Sequence, residues 1–206
     1  SSADSQLIYY EWNPVSSPVT NNLNFIFNNT STYLIAGNDG KLLYRIVPQL
    51  NWNTAVTGTS SNLFSIYGST NIYSAGASGT VMKSTDNGLN WSTINFPVTN
   101  NINSISAYIS QSYRIVCCDG GKIFTTTNQG NNWNEVPSGT TSSLRNISFS
   151  NYISPNRGYI CGDNGTFLKL VYTLPTPVLI TVIPMSTGVT NNFNAVTALN
   201  DTNNIM

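Results

Sequence analysis

Between residues 73 and 91 the chain reads YSAGASGTVMKSTDNGLNW, a strand-like pattern in which glycine recurs at regular places. The first apolar run ends in a G-x-x-G turn at Gly76 and Gly79, where glycine allows backbone angles that other residues adopt only at a cost. The next run leads into S-x-D-x-G-x-x-W, which begins at Ser84 and ends at Trp91. The stretch therefore predicts two hairpins that share their middle strand.

These markers recur along the whole chain. The tryptophans follow one another at separations of 40, 39 and 42 residues, at Trp12, Trp52, Trp91 and Trp133. The G-x-x-G turn returns at residues 37–40 and 162–165, and Cys118 takes the first glycine position of a fourth copy. Each unit opens with an Asn- or Ser-rich turn and an apolar strand, such as NNLNFIF. Four short strands in a unit of this length predict the blade of a β-propeller.

We therefore predict an all-β fold with one incomplete propeller domain over residues 1–206, part of a ring of about six to eight four-stranded antiparallel blades. Residues 7–12 are predicted to form an isolated outer strand. The last repeat is predicted to stop after one strand and a turn. The repeats are predicted near residues 23–56, 62–95, 102–137, 144–183 and 192–206.

Charge is scarce in this sequence. Only 8% of the residues are Asp, Glu, Lys or Arg, and eight acids balance eight bases. Such a weak field attracts neither nucleic acid nor an anionic membrane, and the longest apolar stretch, residues 174–185, is too short to span a bilayer. A surface rich in Asn, Ser and Thr favours a secreted, cell-surface or virion protein. The first residue is Ser1 rather than Met, which indicates either that a signal peptide was removed or that the sequence is part of a longer product.

Several kinds of chemistry are disfavoured. The chain has no histidine, which excludes Ser-His-Asp catalysis and His-dependent zinc sites. Cys117, Cys118 and Cys161 form an odd set without metal-ligand spacing and are predicted to be small buried side chains. No glycine-rich nucleotide motif is present in a suitable context. We predict no cofactor, no metal site and no catalytic residues.

The S-x-D-x-G-x-x-W motif is predicted to have a structural role. The hydroxyl and carboxylate are placed to bond backbone N–H groups of the hairpin, glycine supplies a positive φ, and tryptophan packs between sheets. Ligand binding is the alternative. The motif residues are Ser84, Asp86, Gly88 and Trp91, with a degenerate copy at Thr126, Asn128, Gly130 and Trp133.

This motif resembles the Asp-box, also called the bacterial neuraminidase repeat. Combined with the G-x-x-G turn, the unit is similar to those of the photosystem II assembly and stability factor family, most specifically over residues 62–165. The resemblance implies a propeller that serves as a non-enzymatic assembly scaffold. Because the same repeat occurs in proteins of unrelated roles, the resemblance implies the fold more firmly than the function.

Two other families with this repeat are enzymes, and their residues can be sought directly. Sialidases need three arginines, a tyrosine with a glutamate and an acid/base aspartate, whereas propeller enzymes that degrade xyloglucan need two opposed carboxylates. The sequence YRIVP around Arg45 matches the sialidase arginine box only in part, since Val47 interrupts it. Glu11 and Glu135 flank tryptophans on predicted outer strands, which places them poorly for catalysis.

One set of residues could form a binding site at the rim. Asp39, Asp119 and Asp163 lie in the turn between the second and third strands of their repeats, and this turn faces the same side of each blade. Three carboxylates there could hold a cation or a basic partner. The alternative is that they only form the turns.

The function predicted from the sequence is a non-catalytic binding or assembly scaffold, a secreted, surface or virion subunit that contacts other proteins or glycans. A photosystem-type assembly factor is the first alternative. A glycoside hydrolase or sialidase with catalytic residues elsewhere is the second.

Overall fold

A computed structural model of the chain describes residues 14–107, 112–149, 157–173 and 179–198. The chain forms four sheets, each made of four consecutive strands in chain order. Every neighbouring pair of strands within a sheet is antiparallel. The only helical segments in these ranges are two 3-10 turns, Ala77–Gly79 and Asp119–Gly121. This is the predicted all-β architecture of four-stranded blades.

We number the sheets as blades 1 to 4 along the chain. Blade 1 contains β1 (Leu23–Asn28), β2 (Thr32–Gly37), β3 (Leu42–Ile46) and β4 (Asn53–Thr54). Blade 2 contains β5 (Leu63–Gly68), β6 (Ile72–Gly76), β7 (Val81–Ser84) and β8 (Ser92–Ile94). Blade 3 contains β9 (Ile102–Ala107), β10 (Arg114–Cys118), β11 (Ile123–Thr126) and β12 (Asn134–Val136). Blade 4 contains β13 (Leu144–Phe149), β14 (Arg157–Gly162), β15 (Phe167–Thr173) and β16 (Leu179–Pro184).

The hydrophobic cores lie between consecutive blades. Alternate residues of a strand point to opposite faces of its sheet, so each middle blade contributes to two cores. Cys117 packs with residues of blade 4, while the adjacent Cys118 packs with residues of blade 2. A third core joins blades 1 and 2 and includes Leu34 and Trp91. The three cysteines are free and buried, and burial raises the pKa of the Cys118 thiol to about 12.

The G-x-x-G turns fasten each blade to the next. Gly40, Gly79, Gly121 and Gly165 have positive φ, and a Cβ on any of them would lie within about 2 Å of a carbonyl oxygen in the following connection. Asn62 Oδ1, at the start of blade 2, accepts a hydrogen bond from the Asp39 backbone N–H at 3.0 Å. Asn101 Oδ1, at the start of blade 3, accepts one from Ser78 N–H at 3.1 Å.

The innermost strands are also linked by side chains. Ser65 Oγ of β5 accepts a hydrogen bond from Ile105 N–H of β9 at 3.2 Å, and Ser104 Oγ of β9 accepts one from Ile147 N–H of β13 at 3.4 Å. Beyond blade 4 the pattern continues, because Val196 N–H donates to Asn146 Oδ1 at 3.0 Å. Each inner strand therefore positions the next one through a polar side chain.

Residues 192–198 run beside β13 without forming a strand of their own, although they occupy the place where a following inner strand would lie. The predicted outer strand at residues 7–12, Trp12 and most of the predicted fifth repeat lie outside the described residues. The limits given above for the domain and its repeats stay predictions. Within the described ranges, no helix has the length and apolar character needed to cross a bilayer.

We predict that Gly79→Ala destabilises the fold much more than Gly58→Ala. Both glycines have positive φ, but an added Cβ would lie 2.0 Å from Val98 O at Gly79 and meets nothing within 4 Å at Gly58. Strain at positive φ alone costs about 1–2 kcal/mol, whereas the added overlap at Gly79 should raise the loss to about 4 kcal/mol or more. Urea unfolding of both variants measures this, and equal losses would contradict the docking role of the turn.

Candidate functional site

The motif of blade 2 forms a closed hydrogen-bond network around its β7–β8 hairpin. Ser84 Oγ accepts from Gly88 N–H at 2.9 Å and donates to Asp86 Oδ1 at 2.8 Å. Asp86 Oδ1 also accepts from Asn90 N–H at 3.0 Å, and Oδ2 accepts from the Asn90 amide at 2.8 Å. The backbone bond from Asn90, more than any other contact, lowers the pKa of Asp86. The indole N–H of Trp91 completes the network by donating to Gly88 O at 2.8 Å.

The degenerate copy in blade 3 repeats only part of this network. Thr126 Oγ1 accepts from Gly130 N–H at 3.0 Å, and Asn128 Oδ1 accepts from Asn132 N–H at 3.0 Å. The indole N–H of Trp133 is buried and has no hydrogen-bond partner in the described part of the chain. The two hairpins therefore share a backbone shape but differ at the tryptophan. The indole N–H of Trp91 has an acceptor, whereas that of Trp133 has none among the described residues.

Blade 1 replaces the network with a cation stacked on aromatic rings. Arg45 occupies the place that Ser84 holds in blade 2, 39 residues later. Its guanidinium carbon lies 4.6 Å from the ring centroid of Tyr33 and 5.3 Å from that of Trp52. Stacking of this kind positions Arg45, which has no oxygen partner among the described residues. Arg45, the arginine of the partial match to the sialidase box, therefore has a packing role in blade 1.

The three rim aspartates do not occupy equivalent positions. Asp39 is the third residue of its turn and has positive φ, whereas Asp119 and Asp163 are the second residues of theirs. Asp39 accepts from the Asn21 amide at 2.7 Å, and Asp119 accepts from the amides of Asn101 and Asn103 at 3.0 and 2.8 Å. Each carboxylate is thus bound by its own blade.

Asp163 has the strongest of these contacts. Arg145 Nε donates to Asp163 Oδ1 at 2.8 Å and Nη2 donates to Oδ2 at 2.7 Å, a bidentate pair. This hydrogen bonding lowers the pKa of Asp163 and raises the pKa of Arg145. The structure does not bring the three aspartates together, and within its described ranges no group of three or more Cys, Asp or Glu side chains is arranged to hold a metal ion.

A polar cluster between blades 2 and 3 was missed by the sequence reasoning. Arg114 is fully buried, with its guanidinium carbon 4.5 Å from the ring centroid of Tyr73. Nη1 donates to Tyr113 O at 2.9 Å, and Nη2 donates to Asn71 O at 3.2 Å. The Tyr73 hydroxyl donates to Gln129 O in the blade 3 hairpin at 3.1 Å. Burial lowers the pKa of Arg114 and raises that of Tyr73. The bonds of Arg114 to Asn71 O and of Tyr73 to Gln129 O join blades 2 and 3.

Lys83 belongs to the same cluster. Its ammonium donates to Gln129 Oε1 at 3.0 Å, and the Asn71 amide donates to the same oxygen at 3.0 Å. The side chain of Gln129, which has positive φ at the tip of its hairpin, therefore joins two residues of blade 2. No local motif predicts this contact, because the partners lie 46 and 58 residues from Gln129.

Sequence comparisons identify no relative of this chain. No protein-family model matches it. No curated protein matches it either.

Comparison with solved structures identifies the fold. YCF48 bound to a D1 peptide matches with a TM-score of 0.64 and 16% identity, covering 88% of this chain and 59% of that one. YCF48 from Cyanidioschyzon merolae matches with a TM-score of 0.59 and 17% identity over 84% of this chain and 59% of that chain. An ancestral GH74 enzyme matches with a TM-score of 0.57 and 16% identity over 78% of this chain and 26% of that chain.

These similarities confirm the predicted all-β propeller of four-stranded blades. The chain spans 59% of the length of each YCF48 structure that it matches. The resemblance to the photosystem II assembly factors holds at the level of the fold. The Asp-box assignment stays a resemblance based on the motif.

We predict that Ser84→Ala costs about 1–3 kcal/mol, because it leaves the buried N–H of Gly88 without its acceptor. Asp86→Ala should cost about 1 kcal/mol or less, because that side chain is exposed and water replaces its bonds. Thermal unfolding of the two variants measures the difference. A larger loss for Asp86→Ala than for Ser84→Ala would contradict a hairpin held mainly by the hydroxyl.

We also predict that the Arg145–Asp163 pair contributes stability only where Asp163 is ionised. Because its folded-state pKa is lowered, this contribution is complete above the unfolded carboxyl pKa of about 3.9 and disappears as the pH falls through the lower folded value. Urea unfolding of wild type and Asp163→Asn between neutral and acid pH should give a gap of about 1 kcal/mol or less that closes as the pH falls below the unfolded carboxyl pKa. A gap that does not change with pH would rule out this pair as its source.

Proposed function

We propose that this protein is a non-catalytic propeller module that binds other macromolecules as a subunit of a larger assembly. The observation that carries the proposal is the hydrogen bonding of the carboxylate side chains. All five described carboxylates, those of Asp39, Asp86, Asp119, Glu135 and Asp163, accept hydrogen bonds from the protein's own side chains. Carboxylates already bound in this way are poor candidates for a general acid or a nucleophile.

Glu135 illustrates the point, since it is one of two glutamates in the sequence. Its Oε1 accepts from the Lys122 ammonium at 2.7 Å on an exposed part of blade 3. Most glycoside hydrolases require a pair of carboxyl groups about 5–10 Å apart in a site that controls water. An exposed ion pair at an outer strand does not provide such a site.

The proposed partners are other protein subunits or surface glycans. YCF48, which shares the fold, is described with a bound D1 peptide. We extend to this chain only the use of a propeller to hold a protein segment. The neutral, amide-rich composition supports contacts made by hydrogen bonds and aromatic packing, and a secreted, cell-surface or virion location is part of the same proposal.

Two alternatives remain of interest because structures of both kinds match the fold. An assembly factor of the photosystem type would bind a subunit of that complex, in keeping with the similarity to YCF48. A glycan-active propeller, in keeping with the similarity to a GH74 enzyme, would need catalytic carboxylates in residues other than those described.

We predict that the chain turns over no sialoside, β-glucan or ester and that a protein partner captured from the organism of origin stays bound at both low and high salt. A contact with few charges has little electrostatic attraction to screen. The measurement is a hydrolase panel, combined with affinity capture and a reciprocal capture with the purified partner. Robust turnover, or a partner retained only at low salt, would refute the proposal.

A further inference from the structure

The outer edge of blade 4 differs from the outer edges of the other blades. Its outer strand, β16 (Leu179–Pro184), has six residues, whereas the outer strands of blades 1, 2 and 3 have two, three and three. β16 is the last strand of its sheet, so its outer side has no neighbour among the described strands. A very short outer strand is one way in which β-proteins prevent pairing with another chain. Blade 4 lacks this protection.

The register of β16 determines which of its backbone groups point toward β15. Met185, just after the strand, donates its N–H to Phe167 O at 2.8 Å. Hydrogen-bonded and non-bonded pairs alternate along an antiparallel ladder. Counting back from Met185 in steps of two, the residues that direct their N–H and C=O groups to β15 are Leu179, Thr181 and Ile183.

The residues between them direct their backbone groups to the free edge. Ile180 and Val182 each present one N–H and one C=O outward. Pro184 presents a C=O there but has no N–H, which is the setting in which proline is tolerated in a strand. No described strand bonds these groups, because β16 pairs with β15 alone. The edge therefore offers two donors and two acceptors on Ile180 and Val182.

The side chains of β16 carry no charge, and half of them are exposed. Ile180 and Val182 pack against the core shared with blade 3. On the opposite face Leu179 is 65% exposed and Ile183 is 40% exposed, and Thr181 between them is exposed as well. Edge strands of soluble proteins are commonly blunted by a charged side chain, often lysine, and β16 has none.

This edge is complementary to a second copy of itself. When two β16 strands run antiparallel about a two-fold axis at Thr181, Ile180 of each copy lies opposite Val182 of the other. The N–H and C=O groups of both residues then all have partners, which gives four hydrogen bonds between the copies. A shift of the axis by one residue toward Pro184 would place Ile180 opposite that proline and leave Ile180 O without a donor.

The same alignment also pairs the exposed side chains. Thr181 lies opposite Thr181 of the second copy, and Leu179 lies opposite Ile183. Threonine pairs and pairs of apolar side chains on one face stabilise antiparallel strands. Both rows of the strand, the backbone groups and the exposed side chains, therefore match in one register.

Charge does not oppose this pairing. Lys169 is the only charged residue of β15 and β16, and it lies on β15 opposite Ile183. In the pair, the two copies of Lys169 are three strand spacings and four residues apart, about 20 Å in all. This distance exceeds the Debye length of about 8 Å at physiological salt, so their repulsion is screened. A charged partner strand, in contrast, would find no opposite charge on β16.

We propose that two copies of this chain associate edge to edge through β16, in an antiparallel pair centred on Thr181 that joins two four-stranded blades into one sheet. The inference goes beyond the proposed function and does not depend on it. The contact is small, because a stable interface uses about 20–30 residues on each side. We therefore expect a reversible dimer with a dissociation constant between about 10 µM and 1 mM.

The test begins with the chain of residues 1–206 alone. Sedimentation velocity between about 5 µM and 1 mM should show the average mass rising from 22.4 kDa toward twice that value. Amide exchange followed by NMR gives a local signature. The amides of Ile180 and Val182 should exchange more slowly as the concentration rises, whereas that of Thr181, already bonded to β15, should be protected throughout.

Charge at the axis tests the symmetry of the pair. Thr181→Lys places two ammonium groups opposite each other and should weaken association about tenfold or more. Thr93→Lys is the matched control, since Thr93 is an exposed threonine of the outer strand of blade 2, and it should leave association unchanged. Thr181→Glu should also weaken association, whereas an equimolar mixture of Thr181→Lys and Thr181→Glu should associate again.

A disulfide tests the register. Residues opposite each other in a non-bonded pair have Cα atoms about 4.5 Å apart, within the range that a disulfide spans. Mild oxidation should therefore link Thr181→Cys into a covalent dimer, whereas Thr93→Cys should stay monomeric. The native cysteines do not compete, because all three are buried.

Three results would overturn the inference. They are a chain that stays monomeric up to about 1 mM, association that Thr181→Lys leaves unchanged, and protection of Ile180 and Val182 only when a captured partner is added. The last result would assign the edge to a strand of another protein. Thermal unfolding of each variant distinguishes lost association from lost folding. The two proposals fail separately, since a monomer that keeps its captured partner refutes only this one, and hydrolytic turnover refutes only the proposed function.

Discussion

The rest of the structure depends on one constraint, the close approach between each G-x-x-G turn and the connection that follows it. At Gly40 and Gly165 an added Cβ would lie 1.8 Å from a backbone carbonyl oxygen, so only glycine lets the two chain segments meet. Where they meet, a turn N–H donates a hydrogen bond to a polar side chain just before the next inner strand or in the segment that continues from blade 4. Blade spacing, and with it the three cores between blades, follows from this contact.

Much of this arrangement could be predicted from the sequence because its causes are local. Glycine spacing marks the tight turns, and short continuous apolar runs, such as residues 115–118, mark strands that are buried on both faces. The order of hydroxyl, carboxylate and glycine from Ser84 to Gly88 marks the hairpin, since the bonds involved span only two to four residues. In each case the residues that interact are close along the chain.

The contacts that could not be predicted join residues from different repeats. Tyr73 reaches Gln129 across 56 residues, and no feature near either residue signals the pairing. The rim aspartates are a different case, because GNDG and GDNG place Asp39 and Asp163 one position apart and so differ in φ. The unsatisfied indole of Trp133 depends on side-chain packing that a shared motif does not determine.

The polar links between inner strands bear on how such a protein changes over evolutionary time. Ser65, Ser104 and Asn146 perform the same task in consecutive blades, each accepting a backbone N–H of the segment that follows. Because these three junctions use equivalent groups, a gene duplication or deletion that adds or removes one whole repeat among them recreates a working junction on both sides. Ring size can therefore change in steps of one repeat, while a partial repeat leaves a junction that cannot close.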